Sequence, residues 1–212
     1  MIVPEGYDLG ANDDVDAIYQ EMATELAELE DLKNPDEDLP LTIQLRARQE
    51  VELLKVPVFE ELARDAYAEG NSVVIFVNFR ATLEALLKRL SGVCGISLVY
   101  GAQDEGTRHA EVLCFQSDEH RICLCMTQAG GTGLSLHDEN GTYPRVALIS
   151  PSFSAIDLRQ ALGRVHRATG KSPSIQKLIF ASDTVEMRVC RAVRAKLNNL
   201  DLINDDEMNP II

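Results

Sequence analysis

Apolar residues recur along this chain on two periods. In residues 13–33, Ile18, Met22, Leu26 and Leu29 return at steps of four, four and three. That is the spacing of one face of an amphipathic helix. Asn34-Pro35 ends it, and PDEDLP forms a short acidic linker. A second helical stretch runs from about Leu41 to Glu69, with Pro57 placed to break or kink it. After Gly70 the pattern changes. SVVIFVNF (72–79), GISLVYG (95–101), RICLCMT (121–127), RVALISP (145–151) and IQKLIFA (175–181) are short apolar runs of strand length. Between them, 80–91, 105–116 and Ser154 to about Arg167 read as helices. Asp183 is expected to cap a final helix reaching about Leu200.

Strands this apolar, alternating with helices, predict an α/β fold: a parallel sheet with helices on both faces, joined by right-handed crossovers. An N-terminal helical segment is added to it. A length of 212 residues suffices for one such domain with extra segments. The chain shows no internal repeat.

Net charge modifies the picture through its distribution. The formal value is −14, yet residues 1–40 hold 13 acidic side chains against one basic, Lys33. Asp205, Asp206 and Glu207 add three more acids near the end, which leaves a nearly neutral body. A body of that kind can carry a local basic patch but has no chain-wide basic footprint. No apolar run approaches the roughly 20 residues of a membrane span, and the N-terminus lacks the pattern of a secretory signal. An odd count of five cysteines, mostly in predicted core elements, points to free thiols in a reducing compartment, cytoplasmic or nuclear.

Two segments could carry chemistry. At about 100° per residue, Gln160, Gly163, Arg164 and Arg167 of DLRQALGRVHRATG share one helix face, opposite Leu158, Ala161, Leu162 and Val165. The apolar side can pack on the sheet. The other presents an amide and two guanidinium groups around a glycine, which suits a polyphosphate. The same pattern is also that of a solvated basic face near a helix C-terminus. MTQAGGTGLSLHD (126–138) directly follows a strand, and Gly130, Gly131 and Gly133 free its backbone to approach a ligand. Its amides could cradle phosphate oxygens, or the glycines could serve only a tight turn.

In order, SVVIFVNF, Gly101…Arg108…Phe115, TQAGGTGLSLHD and QALGRVHRATGKS together resemble motifs IV, V and VI of superfamily 2 helicases. The AGGTGLSL and GRVHR forms, with the RARQEVELLK helix, are most similar to the branch of Swi/Snf-type translocases and strawberry-notch-like helicases, viral and phage relatives included. The resemblance covers about residues 41–207, leaving 1–40 as an acidic helical connector and 208–212 as a tail. It implies a RecA-like domain, the second of a two-domain, ATP-driven motor. By position, Arg164 and Arg167 match the arginine fingers, with Arg167 nearest the γ-phosphate. Gln160, Gly131, Gly133 and Ser135 match the ATP side of the cleft, although many family members carry Asp or Asn where Ser135 stands. Thr127, Gly130, Asn78 and Arg80 match the nucleic-acid track. ATP with Mg²⁺ is the implied cofactor, the metal held mainly by a first RecA-like domain that carries the P-loop. Nucleic acid is the implied partner, DNA before RNA.

The chain contains no GxxxxGK[ST] loop. Gly170-Lys171-Ser172 imitates its tail but follows a helix, and Val165 occupies the place of the earlier glycine. Asp118-Glu119-His120 imitates an acidic helicase motif, but its apolar strand comes after it. Cys123 and Cys125, two apart on one strand face near His137, read as core rather than zinc ligands. His166, off the arginine face, reads as structural. The acidic N-terminal helix is either a solvated connector or a cover that mimics phosphate charge over a nucleic-acid groove. The expected function is therefore the finger-bearing half of a helicase or translocase, inactive without its P-loop partner. The alternative is a non-catalytic nucleic-acid or protein binding module.

Overall fold

The computed structural model describes residues 2–7, 9, 12–30, 38–128, 134–151, 154–167, 169–184 and 186–187. Gly130, Gly131, Gly133 and the expected helix beyond Met187 lie outside these described residues. Elements follow in the order β1 (Ile2–Tyr7), α1 (Asn12–Glu30), α2 (Leu39–Leu54), α3 (Val56–Ala68), β2 (Ser72–Val77), α4 (Arg80–Leu90), β3 (Ile96–Val99), α5 (Glu105–Gln116), β4 (Ile122–Met126), β5 (Arg145–Ile149), α6 (Ala155–Val165) and β6 (Ile175–Ala181).

The strands form a six-stranded sheet in the order β1-β6-β5-β2-β4-β3, every described pairing parallel. Five are those expected from the apolar runs; β1 is additional. It pairs with β6, Ile2 opposite Gln176 through Tyr7 opposite Ala181, at the sheet edge. An edge is where Pro4 can sit in a strand, since the amide it lacks need not enter a second ladder.

The central strand β2 is buried on both faces because its residues alternate between two cores. Val74 and Phe76 join Cys123, Cys125, Ala147, Ile149 and Leu178 under α5 and α6. Val73, Ile75 and Val77 join Ile122, Leu124, Leu148 and Ile179 under α3 and α4. Pro57 lies in the first turn of α3, a position that needs no intrahelical amide, so the expected break falls at Lys55. Asp104 caps α5 by accepting from the Thr107 amide at 2.9 Å.

Helix α1 packs on α2 with a rotated stripe. Val15, Tyr19 and Leu29 are its buried apolar residues, while Ile18 and Met22 are only half-buried. Val15 and Tyr19 meet Val51 and Ala181. Its carboxylates at Asp13, Asp14, Glu21 and Glu28 remain exposed. Asp183 does not take the extended cap conformation expected of it; its φ is +59°. The hydroxyl of Thr184 instead accepts from the Glu186 amide at 3.2 Å. Glu186 reaches back to form a buried ion pair with Lys55 at 2.6 Å.

Candidate functional site

Register brings the carboxyl ends of β2, β4 and β5 level. The Thr127 amide donates to the Val77 carbonyl at 2.8 Å, and the Ser150 amide to that of Phe76 at 2.9 Å. Three expected nucleic-acid contacts lie along this edge, and the structure gives them different surroundings. Thr127 is buried, its hydroxyl turned inward to the Val77 carbonyl at 3.1 Å. The Asn78 side-chain amide donates to Glu52 at 2.7 Å and to the Pro151 carbonyl at 2.9 Å. It thus ties β2 to α2 and to the end of β5. Glu52, 2 % exposed, also accepts from the backbone amides of Asn78 and Phe79. Arg80 alone of the three is exposed, its guanidinium 3.8 Å above the Tyr100 ring centroid and bonded to Glu84 at 2.7 Å. The Glu84 hydrogen bond raises the Arg80 pKa above its ordinary value.

Helix α6 buries Leu158, Ala161, Leu162 and Val165 against the sheet, as the wheel predicts. The opposite face differs from expectation. Gln160 and Gly163 are exposed, but Arg164 is 7 % exposed and lies within hydrogen-bonding reach of Cys125. The helix stops at Val165, so Arg167 is not on the wheel at all; His166 is extended, with φ −112° and ψ 115°. Outside partners take the last-turn carbonyls. The Gln176 side chain donates to the Leu162 carbonyl at 2.8 Å, and the Leu136 amide to that of Arg164 at 2.9 Å. The segment after β4 covers that flank of α6, which is why Arg164 is buried.

The same two stretches stay joined beyond the helix. Arg167, exposed, donates from Nη2 to the Leu134 carbonyl at 3.2 Å. His137 Nε2 meets Thr169 Oγ1 at 3.2 Å, and the Lys171 amide donates to the Asp138 carbonyl at 2.8 Å. Ser135 is half-buried; its carbonyl accepts from Gln116 Nε2 at 2.5 Å and its hydroxyl lies 2.9 Å from His137 Nδ1. Ser135 and Leu134 line a cleft of about 620 Å³ together with Arg108, Val112, Leu113 and Gln116 of α5. Ser135, Arg164 and Arg167 are thus brought together by direct pairing of residues 134–138 with 164–171.

A buried polar group underlies this pairing. Arg145, 1 % exposed, donates to Asp118 at 2.9 Å and lies 4.6 Å from the Phe115 centroid. Burial alone would raise the Asp138 carboxyl; the Gly141 and Asn140 amides, which donate to Oδ1 at 2.8 and 3.1 Å, together with the nearby Ser172 side chain and the Arg145 charge, hold it below the ordinary aspartate value. Asp118, at the imitation acidic motif, is therefore engaged structurally in a left-handed turn with φ +62°. Gly170-Lys171-Ser172 comes after α6 and Arg167 rather than directly after a strand, as its context predicts. Cys123 and Cys125 are fully buried, and burial pushes the Cys125 thiol up to about 12, with Arg164 offsetting part of the rise. His166 Nδ1 lies 3.4 Å from the Ser174 hydroxyl.

Glu52, Gln116, His137 and Tyr100 were not marked as site residues by the sequence. Glu52, Gln116 and Tyr100 meet Asn78, Ser135 and Arg80 from distant stretches of chain, so no local spacing betrays them, and Glu52 sits in an ordinary polar stretch of α2; His137 has one partner, Ser135, two positions before it and another, Thr169, 32 positions after it.

Comparison with known proteins gives consistent matches. Residues 55–169 match the family described as helicase conserved C-terminal domain. The chain is 38% identical over 201 residues to a protein of Acanthamoeba polyphaga mimivirus named as an ATP-dependent RNA helicase, covering 93% of this chain and 37% of that one. It is 28% identical to the ATP-dependent helicase fft3 of Schizosaccharomyces pombe, over 74% of this chain and 17% of that one. The chain thus spans about a third or less of these relatives. Among solved structures, the Sulfolobus solfataricus SWI2/SNF2 ATPase core domain aligns with a TM-score of 0.67 at 15% identity, over 92% of this chain and 42% of that one. The C-terminal domain of that ATPase aligns with a TM-score of 0.62 at 13% identity, over 92% of this chain and 85% of that one. Both share the fold: a RecA-like parallel sheet.

Proposed function

Since the chain belongs to the helicase conserved C-terminal domain family, we propose that it is the second RecA-like domain of an ATP-dependent nucleic-acid translocase. In this reading it supplies the arginine finger and one wall of the nucleic-acid track, and a first domain with a P-loop completes the ATP site. One observation carries it: residues 134–138 and 164–171 are joined backbone to backbone, which sets an exposed guanidinium, Arg167, beside the half-buried hydroxyl of Ser135.

Arg167 is the finger. The Leu134 carbonyl orients one edge of its planar fork, leaving the rest to neutralise charge on a transferring phosphoryl group. Arg164 backs it from inside the domain, beside Cys125. Gln160 and Ser135, with Gly131 and Gly133, form the ATP side. ATP, with Mg²⁺ held mainly by the P-loop domain, supplies the free energy when bound. Along the strand edge Arg80 offers a cation to a phosphate backbone, and Tyr100 holds it there. Asn78 and Thr127 keep the strand ends level, so that Gly130 can approach the backbone.

The polymer is DNA in this reading. The Sulfolobus core of the same fold has been solved with dsDNA, whereas the mimivirus relative is named for RNA. The protein operates inside the cell, where its thiols stay reduced, or in cells infected by a virus that encodes it. ATP turnover should be measured for this chain alone and for its assembly with the P-loop domain, each with duplex DNA, single-stranded DNA or RNA. The account expects turnover from the assembly only, stimulated most by duplex DNA. Turnover by the chain alone would refute it, and stimulation by RNA alone would reverse the polymer.

A further inference from the structure

We infer that Gln103 and Glu111 guard the open edge of β3 by taking the hydrogen bonds an added strand would make, and that without them β3 pairs with the β3 of a second copy of this chain.

β3 is the last strand of the sheet, and among the described residues it has a neighbour, β4, on one side only. Its residues, ISLV followed by Tyr100, include no charge and no proline, and all but Ser97 are β-branched, aromatic or leucine. An edge of that composition is a template for pairing with another chain. The opposite edge is blunted within its own strand, where Pro4 lacks an amide. β3 has no such device in its own sequence.

Its protection comes from side chains that follow it. Every second residue of an edge strand turns its amide and carbonyl to the unpaired side. On β3, both groups of Leu98 and the amide of Tyr100 are bonded to side chains. The Gln103 side chain spans two of them: Nε2 donates to the Leu98 carbonyl at 2.9 Å, and Oε1 accepts from the Tyr100 amide at 2.9 Å. A neighbouring strand would present the same donor and acceptor. Glu111 Oε2 accepts from the Leu98 amide at 3.1 Å.

Both guards are themselves anchored. The backbone amide of Gln103 donates to the Tyr100 carbonyl at 3.3 Å, closing a turn, and its carbonyl accepts from Arg108 Nη2 at 2.9 Å. The Ser97 hydroxyl donates to the Glu111 carbonyl at 2.7 Å, which pins that turn of α5 to β3. Removing the guards would expose the same uncharged strand on every copy, and a two-fold axis pairs such a strand with itself, antiparallel. The occupant of the opened edge is therefore a second copy. In the native protein the guard also leaves free the corner at Tyr100, where Arg80 lies 3.8 Å from the ring centroid.

The test compares the full chain with Gln103→Ala, Glu111→Ala, Glu111→Gln and the Gln103→Ala/Glu111→Ala double variant. Sedimentation velocity at rising concentration reads mass, and hydrogen exchange reads the amides of residues 96–100. Diluted, the double variant should exchange the Leu98 and Tyr100 amides about 3- to 10-fold faster than wild type, the equivalent of one hydrogen bond each. Concentrated, it should sediment at twice the wild-type mass, and the same two amides should regain protection. Glu111→Gln keeps an acceptor for the Leu98 amide and should behave as wild type in both measurements. Thermal melting reports folding, and Asp118→Asn, which lowers stability away from β3, controls for association through partial unfolding. Gln103 lies in a turn between elements, so Gln103→Ala decides the point if the double variant does not fold: its Tyr100 amide should exchange faster when dilute and recover when concentrated.

A double variant that keeps the wild-type mass at every concentration would overturn the inference. Association no greater than that of Asp118→Asn would do the same. So would association that leaves the Leu98 and Tyr100 amides unprotected, since the contact would then lie elsewhere.

Discussion

Replacing Asp118 by Asn isolates one charge beneath the paired segments. The substitution keeps the side chain's shape and tolerates the left-handed φ of +62°, and its single oxygen can accept from Arg145 but then not from Asn140. What it removes is the anion facing Arg145, which is 1 % exposed and whose Nε and Nη2 have no partner among the described residues. At an effective dielectric of about 20, two charges about 4 Å apart attract by about 4 kcal/mol. Measured losses on breaking buried pairs are about 3–5 kcal/mol. Asparagine can still accept from the guanidinium, so the loss should fall near the lower end, about 3 kcal/mol. For a chain of this size that is a fall of about 6–12 °C in Tm. Arg145→Met should be milder, about 1–2 kcal/mol, because Asp118 is nearer the surface and retains Asn140. The double variant should resemble Arg145→Met alone, since no buried charge is then left unpaired. Urea denaturation of the four proteins, compared by midpoint at constant slope, gives the cycle. A loss under about 1 kcal/mol for Asp118→Asn, or additive losses in the double variant, would refute the view that this pair carries the segment above it.

Other consequences follow from the same geometry. The folded pKa of Asp138 is depressed, so its contribution to stability is complete above the unfolded value of about 3.9 and is lost as pH falls through the lower folded one. Asp138→Asn should accordingly flatten the acid limb of a stability–pH profile, and an unchanged limb would count against it. At Gly95 an added Cβ would stand 2.2 Å from His120 Cδ2, so Gly95→Ala must swing that ring off Ser97, which it meets at 3.0 Å. The expected loss is about 1–3 kcal/mol by thermal melting, and it should shrink in a His120→Ala background. Of the four described cysteines, Cys123 and Cys125 are buried with raised thiol pKa values. A thiol reagent at pH 8 should leave both unmodified in the native protein and reach them in urea; mass spectrometry showing native labelling of either would contradict the core placement.

Much of the architecture was legible because burial writes itself into local pattern. The run SVVIFV is apolar throughout because β2 is covered on both faces, and Pro57 marks the α2–α3 break because it belongs in a first turn. Strand β1 was not legible: IVPEGY holds Pro4, Glu5 and Gly6, and only its place at the sheet edge makes them acceptable. The helical wheel placed Arg164 and Arg167 together on an open face. It assumed a helix two residues longer than the one formed, and no local pattern shows that residues 134–138 would cover Arg164. Asn78 and Thr127 were marked as contacts by resemblance, while their bonds to Glu52, Pro151 and Val77 depend on residues distant in sequence. His137 has a near partner in Ser135, two positions before it, but its link to Thr169 spans 32 positions and no local pattern shows it.

The most direct test of the central claim is DNA-stimulated ATP turnover by the complete motor carrying Arg167→Ala, alongside nucleotide binding and thermal melting of the same variant. The account predicts an unchanged Tm, retained nucleotide binding and turnover lowered by about 10³–10⁵, with Arg167→Lys restoring little because an ammonium lacks the planar fork. Near-normal turnover in Arg167→Ala would contradict the account and leave this domain a binding module.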